Sequence, residues 1–282
     1  MTAGGVIAPT IGTVLVTGGT GLVGSRLLKR FVDAGISTRG LVRAGKELPA
    51  GVEAVDGDIL DPATLPSALA GVTAVIHLAA LFRTDDEAAV WRVNLEGTRT
   101  LIAAVLEHAP DARVVMASTG NVYGPELAHP AREDDPTTAT QAYPASKIQA
   151  EQLLRESGLR WGILRLPFVY GDQDGHLENL PKLSAVRDRH PAEKLSLAHH
   201  ADVAAAFQLA LTGVMDGQTV NIADDAALSM WELARVAGQD YPDSSEPLAH
   251  PWTGQMDASL ARRLGFRPSV ATVYQAAREG RL

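Results

Sequence analysis

Seven short, β-rich apolar runs punctuate the chain: TVLV (13–16), TRGLV (38–42), VEAV (52–55), AVIHLA (74–79), RVVMAS (113–118), WGILRL (161–166) and TVNIA (219–223). Between most of them lie segments whose apolar residues recur every three or four positions, as in Leu22 to Ala34, Ala88 to His108 and Ala145 to Glu156. Strand and helix periods therefore alternate. Parallel neighbours need crossover connections, and such crossovers are right-handed. The alternation thus predicts an α/β fold, a doubly wound parallel sheet with helices on both faces.

The regular alternation weakens after about Gly171, where GDQDGHLENLPK and later QDYPDSSEPLAHPWTG are rich in Gly, Pro, Asp and Ser. One large domain is expected over residues 1–171, with later strands at about 195–225 returning to it. Most of 172–282 is then a smaller C-terminal substrate lobe. Ligands of doubly wound sheets bind beyond the carboxyl ends of the strands, so this lobe is expected to form the other wall of the cleft, with the substrate between. Apolar residues make up 46% of the chain and no apolar run approaches the ~18 residues of a membrane span. No membrane partner is expected. The opening MTAGGVIAPTIG lacks the basic and long apolar regions of a secretory signal, so a cytoplasmic location is expected by default. The absence of cysteine excludes disulfides, thiolate catalysis and thiolate-bound metal, and no metal site is expected. A net charge of −8 without a concentrated basic segment argues against a nucleic-acid partner.

TVLVTGGTGLVGSRLL (13–28) places Gly18, Gly21 and Gly24 between a first strand and a helix. Glycines there permit a tight turn and let a pyrophosphate approach the helix N–H groups, the arrangement of a Rossmann-type dinucleotide site. The second strand ends Leu41, Val42, Arg43, where a site for NAD usually offers a carboxylate to the ribose hydroxyls. Arg43 instead suits a 2′-phosphate, with Arg39 as a helper, or is a solvated strand end. In GDILD (57–61), Asp58 follows the third strand and can accept from an adenine amino group, while Asp61 before Pro62 reads as a helix cap. YPASK (143–147) sets a phenol and an ammonium four residues apart on one helix face, with Pro144 suited to start the helix. A cation about 4 Å from the phenol is worth about 4 kcal/mol at an effective dielectric near 20, or roughly three pKa units. Lys147 is therefore expected to bring Tyr143 towards working pH. VVMASTGNVYG (114–124) would deliver Ser118 and Thr119 to the cleft edge.

With the order TGGTGLVG, VIHLAA (75–80), VNLEGTRTLI (93–102), STGNVYG (118–124), YPASK, LRLPFVYG (164–171), HHADVAAA (199–206) and TVNIADD (219–225), nearly the whole chain resembles the extended short-chain dehydrogenase/reductases, the NAD-dependent epimerase/dehydratase family. The resemblance implies Thr119, Tyr143 and Lys147 as catalytic residues, Lys147 also holding the nicotinamide ribose. It assigns Gly18, Thr20, Gly21, Leu22, Val23, Gly24, Arg43, Asp58, Ile59, Leu78, Ala79, Ala80, Asn94, Ser118, Pro167 and Phe168 to the cofactor, with Asn94 supporting the site. His199 and Asp202 match a structural element more than a catalytic one. A homodimer through the helices around 88–108 and 143–156 is implied in the same way.

The chain departs from the family pattern in two places. Gly120 and Asn121 stand where the sugar-nucleotide dehydratases carry an Asp-Glu pair, which disfavours dehydration. The stretch from Gly171 to His199 is shorter than in most sugar-nucleotide epimerases, although Arg187 and Arg189 could meet a phosphate or lie on a solvated face. Phe82, Arg83, Asn121, His176 and Asn179 are candidates to face a small-molecule substrate, and Trp91 is either a cleft or a core residue. The resulting expectation is an NADP(H)-dependent enzyme, NAD being the other cofactor, that reduces a ketone or oxidises a secondary alcohol. The alternatives are an NAD-dependent sugar or sugar-nucleotide epimerase and a non-catalytic NADP sensor.

Overall fold

A computed structural model describes residues 11–186 and 188–282. In chain order it runs β1 (Thr13–Thr17), α1 (Leu22–Asp33), β2 (Thr38–Val42), β3 (Glu53–Asp56), α2 (Leu65–Leu69), β4 (Val72–His77), α3 (Glu87–Trp91), a π-helical turn (Arg92–Glu96), α4 (Gly97–His108), β5 (Arg113–Thr119), α5 (Ala142–Arg155), β6 (Arg160–Leu166), β7 (Phe168–Tyr170), α6 (His176–Val186), β8 (Lys194–Leu195), β9 (Leu197–His199), α7 (His200–Leu211), β10 (Gln218–Asn221), β11 (Leu228–Ser229), α8 (Met230–Val236), α9 (Ser259–Arg263) and α10 (Val273–Arg278). All seven predicted runs become strands of one parallel sheet in the order β10-β6-β5-β4-β1-β2-β3. The chain runs outward from β1 through β2 and β3, then returns to β4 on β1's other side. The carboxyl ends of β1 and β4 therefore bound the switch-point crevice.

Side chains alternate across the sheet, and the two faces are covered differently. Val14, Val16, Ile76 and Val115 pack with Leu27, Leu28 and Phe31 of α1 and Phe207 of α7. Their neighbours Leu15, Val75, Val114 and Met116 pack with Leu65 and Leu69 of α2, Leu101 and Val105 of α4 and Leu154 of α5. The period of two along each strand thus fills two separate cores. Beyond β6, the pairs β7–β9 and β8–β11 and the helices α6, α8 and α10 enclose a third cluster around Tyr170, Leu197, Met230, Leu233 and Val273. Strands this short carry no period in sequence, which is why only the central seven stand out there. No helix among the described residues is long and apolar enough to cross a membrane.

The third cluster is tied to the sheet by buried polar bonds. His199 caps α7 by accepting from the Ala201 amide, and its Nε2 lies 2.9 Å from the Arg281 carbonyl. Asp202, 1% exposed, accepts from the Ser269 amide at 2.6 Å, the Ser269 hydroxyl at 2.7 Å and the Val270 amide at 3.1 Å. Both residues are structural, as their motif implies. Asp202→Ala strands these three donors in the interior and is expected to destabilise the protein by about 2–4 kcal/mol, read as a lowered urea midpoint.

Candidate active site

At the carboxyl end of β1, Gly18 has φ +72° and a Cβ there would stand 2.6 Å from the Ala79 amide nitrogen. A Cβ on Gly24 would collide with the Gly18 carbonyl oxygen. The missing side chains let the first turn of α1 close against the loop after β4. Gly21 is the N-cap of α1, and no side chain satisfies the first amides of this helix and no acidic residue lies in its first turn. An uncapped N-terminus without local negative charge is suited to a pyrophosphate. Thr20 and Leu22 are exposed beside it and Val23 is half-buried. Leu78 and Ala79 leave β4 half-buried, followed by exposed Ala80.

Arg43 lies exposed just past β2, and its side chain has no hydrogen bond or ion pair among the described residues. A tight turn with Gly45 at φ +77° and the Lys46 amide bonded to the Arg43 carbonyl brings Lys46 round beside it, a second cation that spacing alone does not reveal. Arg39 does not help them. Its guanidinium donates to the Ala68 and Ala70 carbonyls at 2.9 and 2.8 Å and pairs with Glu53 at 3.0 Å. It caps the end of α2 from the other end of β2, about 13 Å along the strand from Arg43. Asp58 follows β3 and accepts from the Leu60 amide at 2.9 Å, and Asp61 caps the next turn by accepting from the Ala63 amide. Ile59 turns its side chain into the core against Gly97, so only its backbone can reach a ligand.

β5 carries Thr119 to the crevice and α5 presents Tyr143 opposite it. Helix α5 starts at Ala142, two residues before the proline expected to open it. This places the Tyr143 phenol in the first turn, where Pro144 lacks only an amide that needs no intrahelical partner. Burial raises the phenol to about 12, while a hydrogen bond with the Thr119 hydroxyl pulls the other way. Thr119 Oγ1 also accepts from the Asn121 amide at 3.1 Å, which fixes it at the strand end.

The expected lowering of Tyr143 by Lys147 is absent; the Lys147 charge bears on His77, and Glu151 bears on Lys147. Helical spacing puts two Cβ atoms on one face but does not fix where two long side chains end. Burial brings the Lys147 ammonium down to about 8, partly offset by Glu151. Lys147 is 2% exposed and makes no hydrogen bond among the described residues. A nearly buried ammonium with no protein hydrogen bond, one helical turn beyond a phenol, fits a dinucleotide whose ribose hydroxyls would satisfy it.

Below this site, hydrogen bonds of fixed polarity lock the backbone. Thr98 donates its hydroxyl to the Asn94 carbonyl at 2.6 Å and therefore accepts from His77 Nε2 at 2.9 Å. His77 Nδ1 then accepts from the Thr17 hydroxyl at 2.7 Å, and Thr17 accepts from the Ala79 amide at 3.3 Å. Burial, reinforced by the Lys147 charge, pushes His77 down to about 3 and keeps it neutral. Asn94 is fully buried in the π-helical turn. Its amide bonds both backbone groups of Leu81 and donates to Ser146 Oγ at 3.1 Å, and Ser146 in turn donates to the Tyr143 carbonyl at 2.7 Å. Asn94 thus holds the site together, its amide already spent on protein groups.

Ser118 is likewise committed, donating to Glu151 rather than facing the crevice. Glu151 is 1% exposed and also accepts from Arg165 at 2.7 and 3.1 Å and Arg155 at 2.6 Å. Burial raises its carboxyl, but the Arg165 bonds outweigh this and leave it below the usual range. Sequence reasoning missed this network, whose one signal was a lone arginine inside the apolar run WGILRL.

Three of the five substrate candidates meet at the mouth. The Phe82 ring lies 4.4 Å from that of Tyr143, and the Arg83 guanidinium lies over Phe82 at 5.3 Å while donating to His176 Nε2. His176 stacks on Phe168 at 4.4 Å, with Pro167 half-buried just before. Asn179 lies one turn further along α6, exposed and donating to the Gly175 carbonyl, and Asn121 is exposed beyond Thr119. Trp91 is half-exposed at the end of α3. Arg189 is paired with Glu193 at 3.1 Å, and Arg187 lies outside the described residues.

The model of the NAD dependent epimerase/dehydratase family matches residues 14–223. The chain is 37% identical over 160 residues to UDP-glucose 4-epimerase of Azospirillum brasilense, covering 53% of this chain and 46% of the relative. To the 3-beta-hydroxysteroid dehydrogenase of Mycolicibacterium neoaurum it is 28% identical over 255 residues, 80% of this chain and 69% of the relative. It thus spans about half the length of the first relative and more of the second. A short-chain dehydrogenase/reductase superfamily protein from Agrobacterium tumefaciens, solved with bound NAD, superposes with a TM-score of 0.78 at 24% identity, covering 95% of both chains.

The burial that brings the Lys147 ammonium from 10.5 down to about 8 corresponds to a cost to the ligand-free protein on the order of 3 kcal/mol. Between these values the unfolded chain binds more protons than the folded one, so this contribution makes stability rise with pH there. Lys147→Met is expected to raise the melting temperature of the ligand-free protein at pH 7 and to remove that rise between pH 8 and 10. The same variant should lose affinity for dinucleotide in calorimetric titration.

Proposed function

The chain belongs to the NAD dependent epimerase/dehydratase family, and we propose that within it the protein is an NADP(H)-dependent oxidoreductase that reduces a ketone or oxidises a secondary alcohol. The observation that carries the reading is the pairing of the Tyr143 phenol with the Thr119 hydroxyl beside the unpartnered Lys147 ammonium. A bound nicotinamide supplies or accepts a hydride. Thr119 orients the substrate oxygen, Tyr143 gives it a proton during reduction and takes one back during oxidation, and Lys147 would hold the ribose hydroxyls of the dinucleotide. A phenol held at about 12 without ligand is kept protonated, ready to act as the acid.

Preference for NADP(H) rests on the end of β2. Exposed Arg43 and Lys46 share one turn there, and no carboxylate stands where ribose hydroxyls would need one. Dehydration is disfavoured by Gly120, next to Thr119, where a Cβ would run into the Met256 sulfur and no carboxylate can be added without displacing it. Identity to the Azospirillum epimerase favours a second reading, in which the same residues serve an enzyme that keeps NAD and returns the hydride to its substrate.

Tyr143→Phe is expected to lower kcat by about 10²–10⁴-fold while leaving dinucleotide affinity within a few-fold, with NADPH consumption as the readout. A Phe variant of ordinary activity would remove this mechanism. Arg43→Ala should weaken NADPH binding about tenfold or more and leave NADH binding unchanged; tighter binding of NADH than NADPH by the unaltered protein would contradict the preference. Interconversion of UDP-glucose and UDP-galactose without added cofactor would favour the epimerase reading instead.

A further inference from the structure

Gly19 and Gly40 have no backbone reason to be glycine. Neither has a positive φ, and a glycine inside a strand such as β2 weakens it unless another group must come close. One side chain comes close to both. A Cβ on Gly40 would run into Leu48 Cδ1, and one on Gly19 would stand 3.0 Å from Leu48 Cδ2 and 2.6 Å from Leu28 Cδ1. Leu48 is half-buried and packs on the α1 side of the sheet, with one methyl over each glycine. At the end of the same loop, a Cβ on Gly51 would stand 2.8 Å from Val32 Cγ1 of α1. The loop between β2 and β3 is thus pinned from inside.

The turn that carries Arg43 and Lys46 lies just ahead of Leu48, and its own hydrogen bond is local, from the Lys46 amide to the Arg43 carbonyl at 3.1 Å. Arg43, Lys46 and Glu47 are exposed, and their side chains make no hydrogen bond or ion pair among the described residues. Leu48 is therefore the side chain that ties this turn to Gly19, in the loop that leads into the N-terminus of α1. Resting on the NADP(H) preference proposed above, we infer that Leu48 is a positioning residue for cofactor specificity, a peg that sets the basic turn beside the glycine cradle for a 2′-phosphate. Two like charges on one unanchored turn repel each other and spread into solvent. Ordering them at the moment of binding weakens affinity, and an anchor in place beforehand removes part of that cost. The effect falls on NADP(H), because NAD(H) has no phosphate for these cations to hold.

Calorimetric titration of the full chain with NADPH and with NADH tests this. Leu48→Ala is expected to weaken NADPH binding about tenfold and to leave NADH within about twofold. Gly40→Ala fills one notch and displaces the end of Leu48 without deleting an apolar group. It should lower the NADPH-to-NADH affinity ratio in the same direction, which keeps the test open if Leu48→Ala does not fold. Leu48→Met, of similar volume and flexible, should keep the ratio within about threefold. In an Arg43→Ala/Lys46→Ala background, Leu48→Ala should cost NADPH no further affinity, since the peg acts through those cations. An unchanged ratio in Leu48→Ala and Gly40→Ala, whether both affinities fall or neither does, would overturn the peg and leave the cofactor preference standing. So would a full further loss of NADPH affinity in the background without the two cations. Binding of NADH as tightly as NADPH by the unaltered protein would overturn the preference and this inference with it.

Discussion

The site depends on one chain of hydrogen bonds whose direction cannot be reversed. Because Thr98 must donate to the Asn94 carbonyl, His77 must carry its proton on Nε2, and Thr17 must then donate to Nδ1 and receive from Ala79. The result joins β1, β4, the π-helical turn and, through Asn94 and Ser146, the first turn of α5. A π-turn adds a residue to the helical ladder and so re-aims one side chain. Here that side chain is Asn94, turned on the Leu81 backbone just beyond the crevice loop. Glycine cradle, crevice loop and phenol are thereby held in register without a charge being used.

Charge is concentrated one turn further along α5. Glu151 is fully engaged by Arg165, Arg155 and Ser118, whereas Lys147 is left without a hydrogen bond. A saturated carboxylate beside an unsaturated ammonium divides the labour. The first stabilises the fold across β5, α5 and β6, and the second holds back stability that a ligand can release. Ligand binding at Lys147 is favoured because the protein alone leaves that position poorly satisfied.

The fold was legible because burial on both faces of a parallel sheet leaves an apolar run wherever a central strand lies, and all seven runs became strands. Helix α5 was legible from its period, but its start was not, because Pro144 is tolerated anywhere in a first turn. Glycines and motif order pointed to the crevice residues, while side-chain destinations stayed hidden. Arg39 and Arg43 share a strand, yet one is consumed by the carbonyls ending α2 and the other is exposed. Tyr143 and Lys147 share a helix face, yet their long side chains reach different neighbours. Ser118 and Ile59 point away from the crevice because strand pleat and local turn, rather than proximity in sequence, decide direction.

Gly120 has one more consequence. Its hydrogen atom touches the thioether of Met256, a residue from the far end of the chain that is itself 9% exposed. A side chain at position 120 would therefore have to push that thioether aside, which an unbranched methionine with three rotatable bonds can allow. The turn after Thr119 is thus filled by a residue more than a hundred positions away rather than by its own side chain, so its shape and the seating of residue 256 are set together.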